Sequence, residues 1–288
     1  MGLRVWFSRD APTAPPRRTS RDRHDGGAAG SSARRRPRRH PPSWSPHLQH
    51  ARLNARIRTT LTATLNELTE RLGRRPRVLE VGAGHGTFSE TILATGAEVV
   101  VTEMSAPSAA TLDARFRHNP SVEVLHDPDG DFTAVGQVDA VVYTAVLHHI
   151  PDYLANIDAA VTHIREGGAL LAFQDPLYYP RLPRRTLLAS LVAFYSWRVG
   201  QGDYRRGFAT IGRRLRGHYD ESQVSDMSEY HVVRQGVDEQ AIADRLREDF
   251  ADVEVQRYWS TPSSLAQTVG DRLRTPNTFA VLAHRRLA

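Results

Sequence analysis

An acid and three glycines alternate as Glu80, Gly82, Gly84 and Gly86 inside the run Arg77-Val78-Leu79-Glu80-Val81-Gly82-Ala83-Gly84-His85-Gly86. Glycine at every second position lets the chain turn sharply and brings bare backbone amides against a ligand. Seventeen residues beyond Gly86, Glu103 closes a second apolar run, where a carboxylate can accept both hydroxyls of a ribose. This is the pattern of a nucleoside cofactor site. In the dinucleotide fingerprint the third glycine comes three residues after the second; that position here is Thr87, so no pyrophosphate cradle is written. Proton chemistry has separate candidates. His148 and His149 follow the apolar segment 138–146, and an ordinary imidazole pKa of roughly 6.5 suits proton removal near neutrality. Tyr143, Asp175, Tyr178, Glu229, Tyr230 and His231 are alternatives.

The elements that must position these residues can be read from periodicity. Val78, Leu79 and Val81 suit a buried parallel strand, and residues 97–102 are a second. Between them Thr87-Phe88-Ser89-Glu90 opens a helix with Phe88 and Ile92 on one face and Gly96 as its stop. Upstream, Leu53, Ile57, Leu61, Leu65, Leu68 and Leu72 recur at steps of four and three, a helix with a continuous apolar stripe ending at Gly73. Downstream the pattern predicts helices over 107–117, 151–165 and 238–249, and final strands at 253–259 and 278–283. Alternation of this kind predicts an α/β fold, a parallel sheet with helices on both faces.

The spacing Glu-x-Gly-x-Gly-x-Gly, with an acid closing the second strand, resembles the class I S-adenosylmethionine-dependent methyltransferases of small-molecule type. The resemblance continues through strand three at 122–127, strand four and its loop at 138–152, and a turn into strand five at 165–171; it covers residues 77 to 175 well. It implies a doubly wound, seven-stranded, mostly parallel Rossmann-like sheet whose last strand runs antiparallel beside its neighbour. It implies S-adenosylmethionine as cofactor and S-adenosylhomocysteine as product, held by Glu80, Gly82, Ala83, Gly84, Gly86, Glu103, Met104, Asp127 and Tyr143. Met104 would pack on adenine and Asp127 would meet its amino group. Asp127 also leads Pro128-Asp129-Gly130-Asp131, so turn chemistry is its alternative. His148, His149 and His231 are the catalytic candidates. In this family a His-His-apolar-Pro sequence also shapes the loop and caps the next helix, so a structural role stays open for the pair.

Composition excludes whole mechanisms. There is no cysteine, and all thirty-eight residues counted as Lys plus Arg are arginine. Iron–sulfur chemistry, thiolate addition, Cys-ligated zinc and Schiff-base catalysis are therefore out of reach, and no metal site is expected. Residues 1–43 carry eleven arginines against Asp10, Asp22 and Asp25; that surplus of eight exceeds the net +6 of the whole chain, so the remainder is slightly acidic. The tail is rich in Pro, Gly, Ser and Arg and predicts disorder, as either a polyanion-binding arm or a solvated extension. No span approaches the ~20 apolar residues that a membrane crossing needs. A cytoplasmic protein without a nucleic-acid partner is the expectation.

The expected organisation is a tail over 1–43 and one domain over 44–288: an N-terminal helix (44–73), a cofactor core (77–175), a helical insert (176–235) and the last helix with two strands (236–288). The insert holds residues 187–197, apolar nearly all round, which must be covered by the domain, a homodimer partner or an acceptor. Beyond it Arg198, Arg205, Arg206, Arg213, Arg214 and Arg216 face Asp203 alone, as a solvated surface or an anion-recognising one. Three functions compete: methyl transfer to O, C or N of an apolar small-molecule acceptor, with or without an anionic group, in secondary metabolism; an RNA or protein methyltransferase anchored by the tail; and a non-methylating binder or cyclase on the same fold. Against the second, the strand-four exit reads Tyr143-Thr144-Ala145-Val146 rather than the Asn/Asp-Pro-Pro-aromatic element that holds a flipped base.

Overall fold

The computed structural model describes residues 50–200, 235–273 and 275–288, all within the compact unit Pro41–Ala288. Seven strands form one sheet: β1 (Arg77–Val81), β2 (Glu98–Glu103), β3 (Val122–His126), β4 (Val138–Thr144), β5 (Ile164–Pro176), β6 (Phe250–Tyr258) and β7 (Thr278–Arg286). Their spatial order is β3-β2-β1-β4-β5-β7-β6. β1 to β5 pair in parallel, while β7 runs antiparallel to both β5 and β6. This is the doubly wound sheet with a reversed last strand that the family resemblance implies.

Both faces are covered, which is why the central strands are apolar on both sides rather than alternating, with Glu80 and Asp139 as buried exceptions. On one face α1 (Ala51–Leu72), α2 (Ser89–Leu93) and α3 (Ala106–Phe116) lay Leu53, Ile57, Leu61, Leu65, Leu68, Ile92, Leu112 and Phe116 over Val78, Val99, Val142, Leu171 and Leu282. On the other, α4 (Tyr153–Thr162) and the helix Glu239–Asp249 bring Ile157, Val161, Ile242 and Leu246 over Leu79, Val141, Leu170 and Val281. α5 (Arg184–Gly200) follows β5; Glu239–Asp249 is α6 and Ser264–Leu273 is α7.

The direction of α1 matters for the site. Near its C-terminus Arg71 donates to the carbonyl of Gly167 (2.6 Å), and Arg74 makes two bonds to the buried Asp139 (2.7 and 2.8 Å), both at the amino end of the sheet. Near its N-terminus the Arg56 guanidinium lies 4.9 Å over the ring of Tyr258, at the carboxyl end of β6. α1 therefore carries its first turns to the edge where the parallel strands end.

The structure departs from the sequence pattern at two places. The helix expected over 151–165 starts at Tyr153, capped by Asp152 accepting from the amide of Ala155 (3.0 Å), and stops at Thr162. Ile164 already pairs with Val138, so Arg165-Glu166-Gly167-Gly168 lies inside β5 with a register shift against β4, instead of forming a turn before it. Pairing with β4 overrides the apolar spacing that Ile164 shares with Ile157 and Val161. The second departure is α7, which periodicity does not announce; Gly270 within it packs on the Trp259 ring so closely that a Cβ would lie 2.1 Å from Nε1. No helix among the described residues is long and apolar enough to cross a membrane.

Gly168 sets how closely β5 approaches β4. A Cβ there would stand 2.4 Å from Ile164 Cγ2 and 2.6 Å from the Asp139 carbonyl oxygen. Gly168→Ala is expected to destabilise the fold by about 1–3 kcal/mol through forced backbone shifts, measured by urea unfolding; an unchanged midpoint would contradict this packing.

Candidate cofactor and acceptor site

The strand order reverses between β1 and β4, and open α/β sheets bind ligands in the crevice outside the carboxyl ends at such a point. The glycine loop leaves β1 there. The amide of Gly82 donates to the carbonyl of Thr102 (2.9 Å), tying the loop to β2. Gly82, Gly84 and Gly86 all have positive φ (64°, 58° and 74°), a backbone that L side chains rarely adopt. Their surroundings differ. A Cβ on Gly82 would lie 2.4 Å from Val146 Cγ2, and one on Gly86 would lie 2.7 Å from Phe116, whereas a Cβ on Gly84 would meet nothing within 4 Å. Two glycines are required by packing, and the middle one borders open space.

Two acids lie at the ends of the strands that lead to this loop, and one of them contacts Gly84. The Gly84 amide donates to Glu103 Oε1 at 2.5 Å. Half-burial holds the Glu103 carboxyl above the usual range, with the Gly84 amide and His85 pulling the other way. Glu80 is almost fully buried and accepts from the Ser89 hydroxyl at 2.5 Å; burial, with the charge of Glu103, pushes it up to about 7 against the Ser89 hydrogen bond. Both sites would gain from a ligand that brings positive charge or hydroxyl donors. The Gly84 amide engages one Glu103 oxygen and leaves the other to accept from a ligand, so the donor set fits a ribose. Ala83 packs against the α1-side core.

The remaining expected contacts divide. Met104 is exposed beside Glu103, and the His126 ring donates to its carbonyl (3.2 Å). Asp127 spends its carboxylate on the following turn, accepting from the amides of Gly130 (3.0 Å), Asp131 (3.4 Å) and Phe132 (3.3 Å). Turn chemistry thus accounts for Asp127. Tyr143 does not line the loop: it is sealed in the core under α4, its hydroxyl donates to Asn156 Oδ1 (3.0 Å), and Asn156 donates to the Gly130 carbonyl (2.9 Å). Burial raises the Tyr143 pKa far out of reach of base chemistry. Asn156 thus links Tyr143 to Gly130 of the turn that Asp127 holds, a brace between β4 and residues 127–132.

The histidines stand at the exit of β4 on a 3-10 turn, Leu147–His149. His148 is buried; its Nδ1 is 2.6 Å from Asp175 Oδ1, and its amide donates to the same oxygen at 3.1 Å. Asp175 is wholly buried at the end of β5, and burial pushes its carboxyl up to about 7. Burial likewise holds His148 well below the imidazole range. The His149 ring lies 3.9 Å from that of His148, on the exposed side. Desolvation and the neighbouring ring keep it low as well. Among the described residues, Thr144 Oγ1 and Asp175 Oδ2 are buried with no hydrogen-bond partner. Tyr178 stacks under Arg181 (5.0 Å). Glu229, Tyr230 and His231 lie outside the described residues, as does most of the arginine-rich part of the insert.

Sequence reasoning missed Arg58 and Val146. Arg58 is on the first turns of α1, donating through Nε to Asn54 Oδ1 (2.6 Å), bonded to the Thr91 hydroxyl and 5.5 Å over the Phe88 ring. It sets a cation beside the helix that leaves the glycine loop. The signal was present: Asn54 and Arg58 are polar residues four apart beside the apolar stripe of α1.

Gly84→Val is expected to abolish binding of S-adenosylmethionine by filling the open space, and Glu103→Ala to weaken it by about 1.5–3 kcal/mol for each charge-assisted hydrogen bond removed. Calorimetric titration reads both; wild-type affinity in Glu103→Ala would remove that residue from the cofactor site.

The profile of a methyltransferase domain matches residues 53–206, more than half of the chain. Among curated relatives, the ubiquinone biosynthesis O-methyltransferase of Psychrobacter cryohalolentis is 31% identical over 144 residues, 45% of this chain and 52% of that protein. The protein of the same name from Aromatoleum aromaticum is 30% identical over 32% of this chain and 41% of its own length. The chain spans about half the length of these relatives. Of solved structures, the N-methyltransferase NodS from Bradyrhizobium japonicum in complex with S-adenosylhomocysteine is 15% identical with a TM-score of 0.46, covering 83% of this chain and 89% of that one. With the acid–glycine loop at the strand reversal and the profile across that core, the chain belongs to the methyltransferase-domain family, as a class I S-adenosylmethionine-dependent member.

Proposed function

We propose that this protein transfers the methyl group of S-adenosylmethionine to an oxygen atom of an apolar small molecule, with His148 as the base that Asp175 orients. The observation that carries the reading is the buried pair His148–Asp175 at the exits of β4 and β5, with Nδ1 to Oδ1 at 2.6 Å. The names of the curated relatives, O-methyltransferases, point to oxygen as the accepting atom.

S-adenosylmethionine supplies a methyl group on a sulfonium, which leaves as a neutral thioether when the acceptor oxygen attacks in line. The protein's work is then to position two reactants and to remove one proton. Glu103 and the glycine loop would hold the nucleoside, and Arg58 offers a cation for a carboxylate. When ionised, Asp175 accepts the Nδ1 proton of His148 and leaves the Nε2 lone pair to take the proton of the acceptor hydroxyl. His149 presents an exposed imidazole next to it for returning that proton to solvent.

The sign of the pH dependence follows from the pair. Burial keeps His148 neutral, and Asp175 ionises only as pH rises through about 7. The rate of the chemical step should therefore climb across that window. With methyl-labelled S-adenosylmethionine and a panel of phenols and catechols, His148→Ala should lower the transfer rate by roughly 10²–10⁴ while S-adenosylhomocysteine still binds. An undiminished rate, or one that falls as pH rises through 7, would contradict the assignment.

A further inference from the structure

Asp175 reaches His148 only because β5 carries one extra residue. Pairing with β7 runs regularly to Phe173↔Ala280 and resumes at Asp175↔Phe279, so Gln174 is unpaired, with φ of 69°. Side chains alternate across a sheet, and a one-residue shift sends every later side chain to the opposite face. Phe173 and Ala280 lie on the face covered by α1, whereas Phe279 lies on the face of α4 and α6 together with Leu147 and Leu177. Without the bulge Asp175 would pair with Thr278 and turn to the α1 face, away from His148.

A left-handed backbone at a non-glycine residue persists only where its surroundings over-determine it. Here they do. The Gln174 amide donates to the Tyr258 hydroxyl (3.1 Å), that hydroxyl donates to Gln174 Oε1 (3.3 Å), and Gln174 Nε2 donates to the Ser260 hydroxyl (2.5 Å). Tyr258 is in turn covered by Arg56 of α1, which is fixed by Gln256 Oε1 at 2.8 Å. At the end of the neighbouring strand β4, Ala145, also left-handed at 55°, donates to the carbonyl of Phe173 (2.8 Å) and fixes the start of the loop that delivers His148.

We propose that Gln174 and Tyr258 are positioning residues: together they hold the β5 bulge that turns Asp175 across the sheet to His148. This role rests on the reading of His148 and Asp175 as the base and its orienting acid, but its geometry is testable without an acceptor. The Nδ1 proton shared between His148 and Asp175 should resonate far downfield in the full chain labelled with 15N-histidine, and Asp175→Asn assigns it by removing it.

Tyr258→Phe keeps the ring under Arg56 and deletes only the hydroxyl, and Gln174→Gly relieves the left-handed strain while deleting the side-chain bonds. Both variants should lose the downfield signal while the chain stays folded by circular dichroism and binds S-adenosylhomocysteine with wild-type affinity. Retention of the signal in both variants would overturn the proposal. Loss of the signal together with full transfer activity in His148→Ala would leave the positioning inference standing and remove the base assignment instead.

Discussion

Everything chemical in this chain depends on the reversal of strand order between β1 and β4. On either side of that line, connections leave in opposite directions, so the carboxyl ends of the two strands open into a crevice that neither loop fills. The fit across it is close: Gly82 must be glycine because Val146, just past β4, stands where its side chain would go. The glycine loop after β1 and the loop after β4 are thus packed against each other. α1 runs with its first turns at the same edge, placing Arg58 beside α2 and Arg56 over Tyr258.

The crevice is also where the protein keeps its costly acids. Glu80, Glu103 and Asp175 all have carboxyls raised by burial, and each lies at the end of a parallel strand. Acids at the amino end behave differently: Asp139, held by Arg74, Arg165 and the Arg77 amide, sits below the usual range despite its burial. Asp139 is fully paired and locks β4 to the start of β1, whereas the Gly84 amide engages only one oxygen of Glu103. Uncompensated acids suit a cofactor that arrives with a sulfonium and hydroxyl donors.

How much of this is legible in the sequence depends on whether a feature is local. The glycine loop, Glu103 and the α1 stripe are readable because spacing along the chain fixes them, and the strand order follows only from the family resemblance. The end of α4 is not, since Ile164 continues the helical apolar spacing and only pairing with Val138 draws it into β5. Tyr143 and Asp127 fall where a cofactor contact would lie along the chain, but Asn156 and the 127–132 turn claim their polar atoms. The bulge at Gln174 leaves no local mark, because a register shift is a property of two strands and not of one. His148 is legible as a candidate, while its partner Asp175 requires the fold.

A crystal structure of the protein with S-adenosylhomocysteine tests most directly whether the space over Gly84, beside Glu103, receives the nucleoside of the cofactor. The ribose hydroxyls should lie on the Glu103 carboxylate, with the sulfur turned towards the exit of β4 where His148 stands. A ligand bound elsewhere, with Glu103 still engaged by the Gly84 amide alone, would contradict that placement.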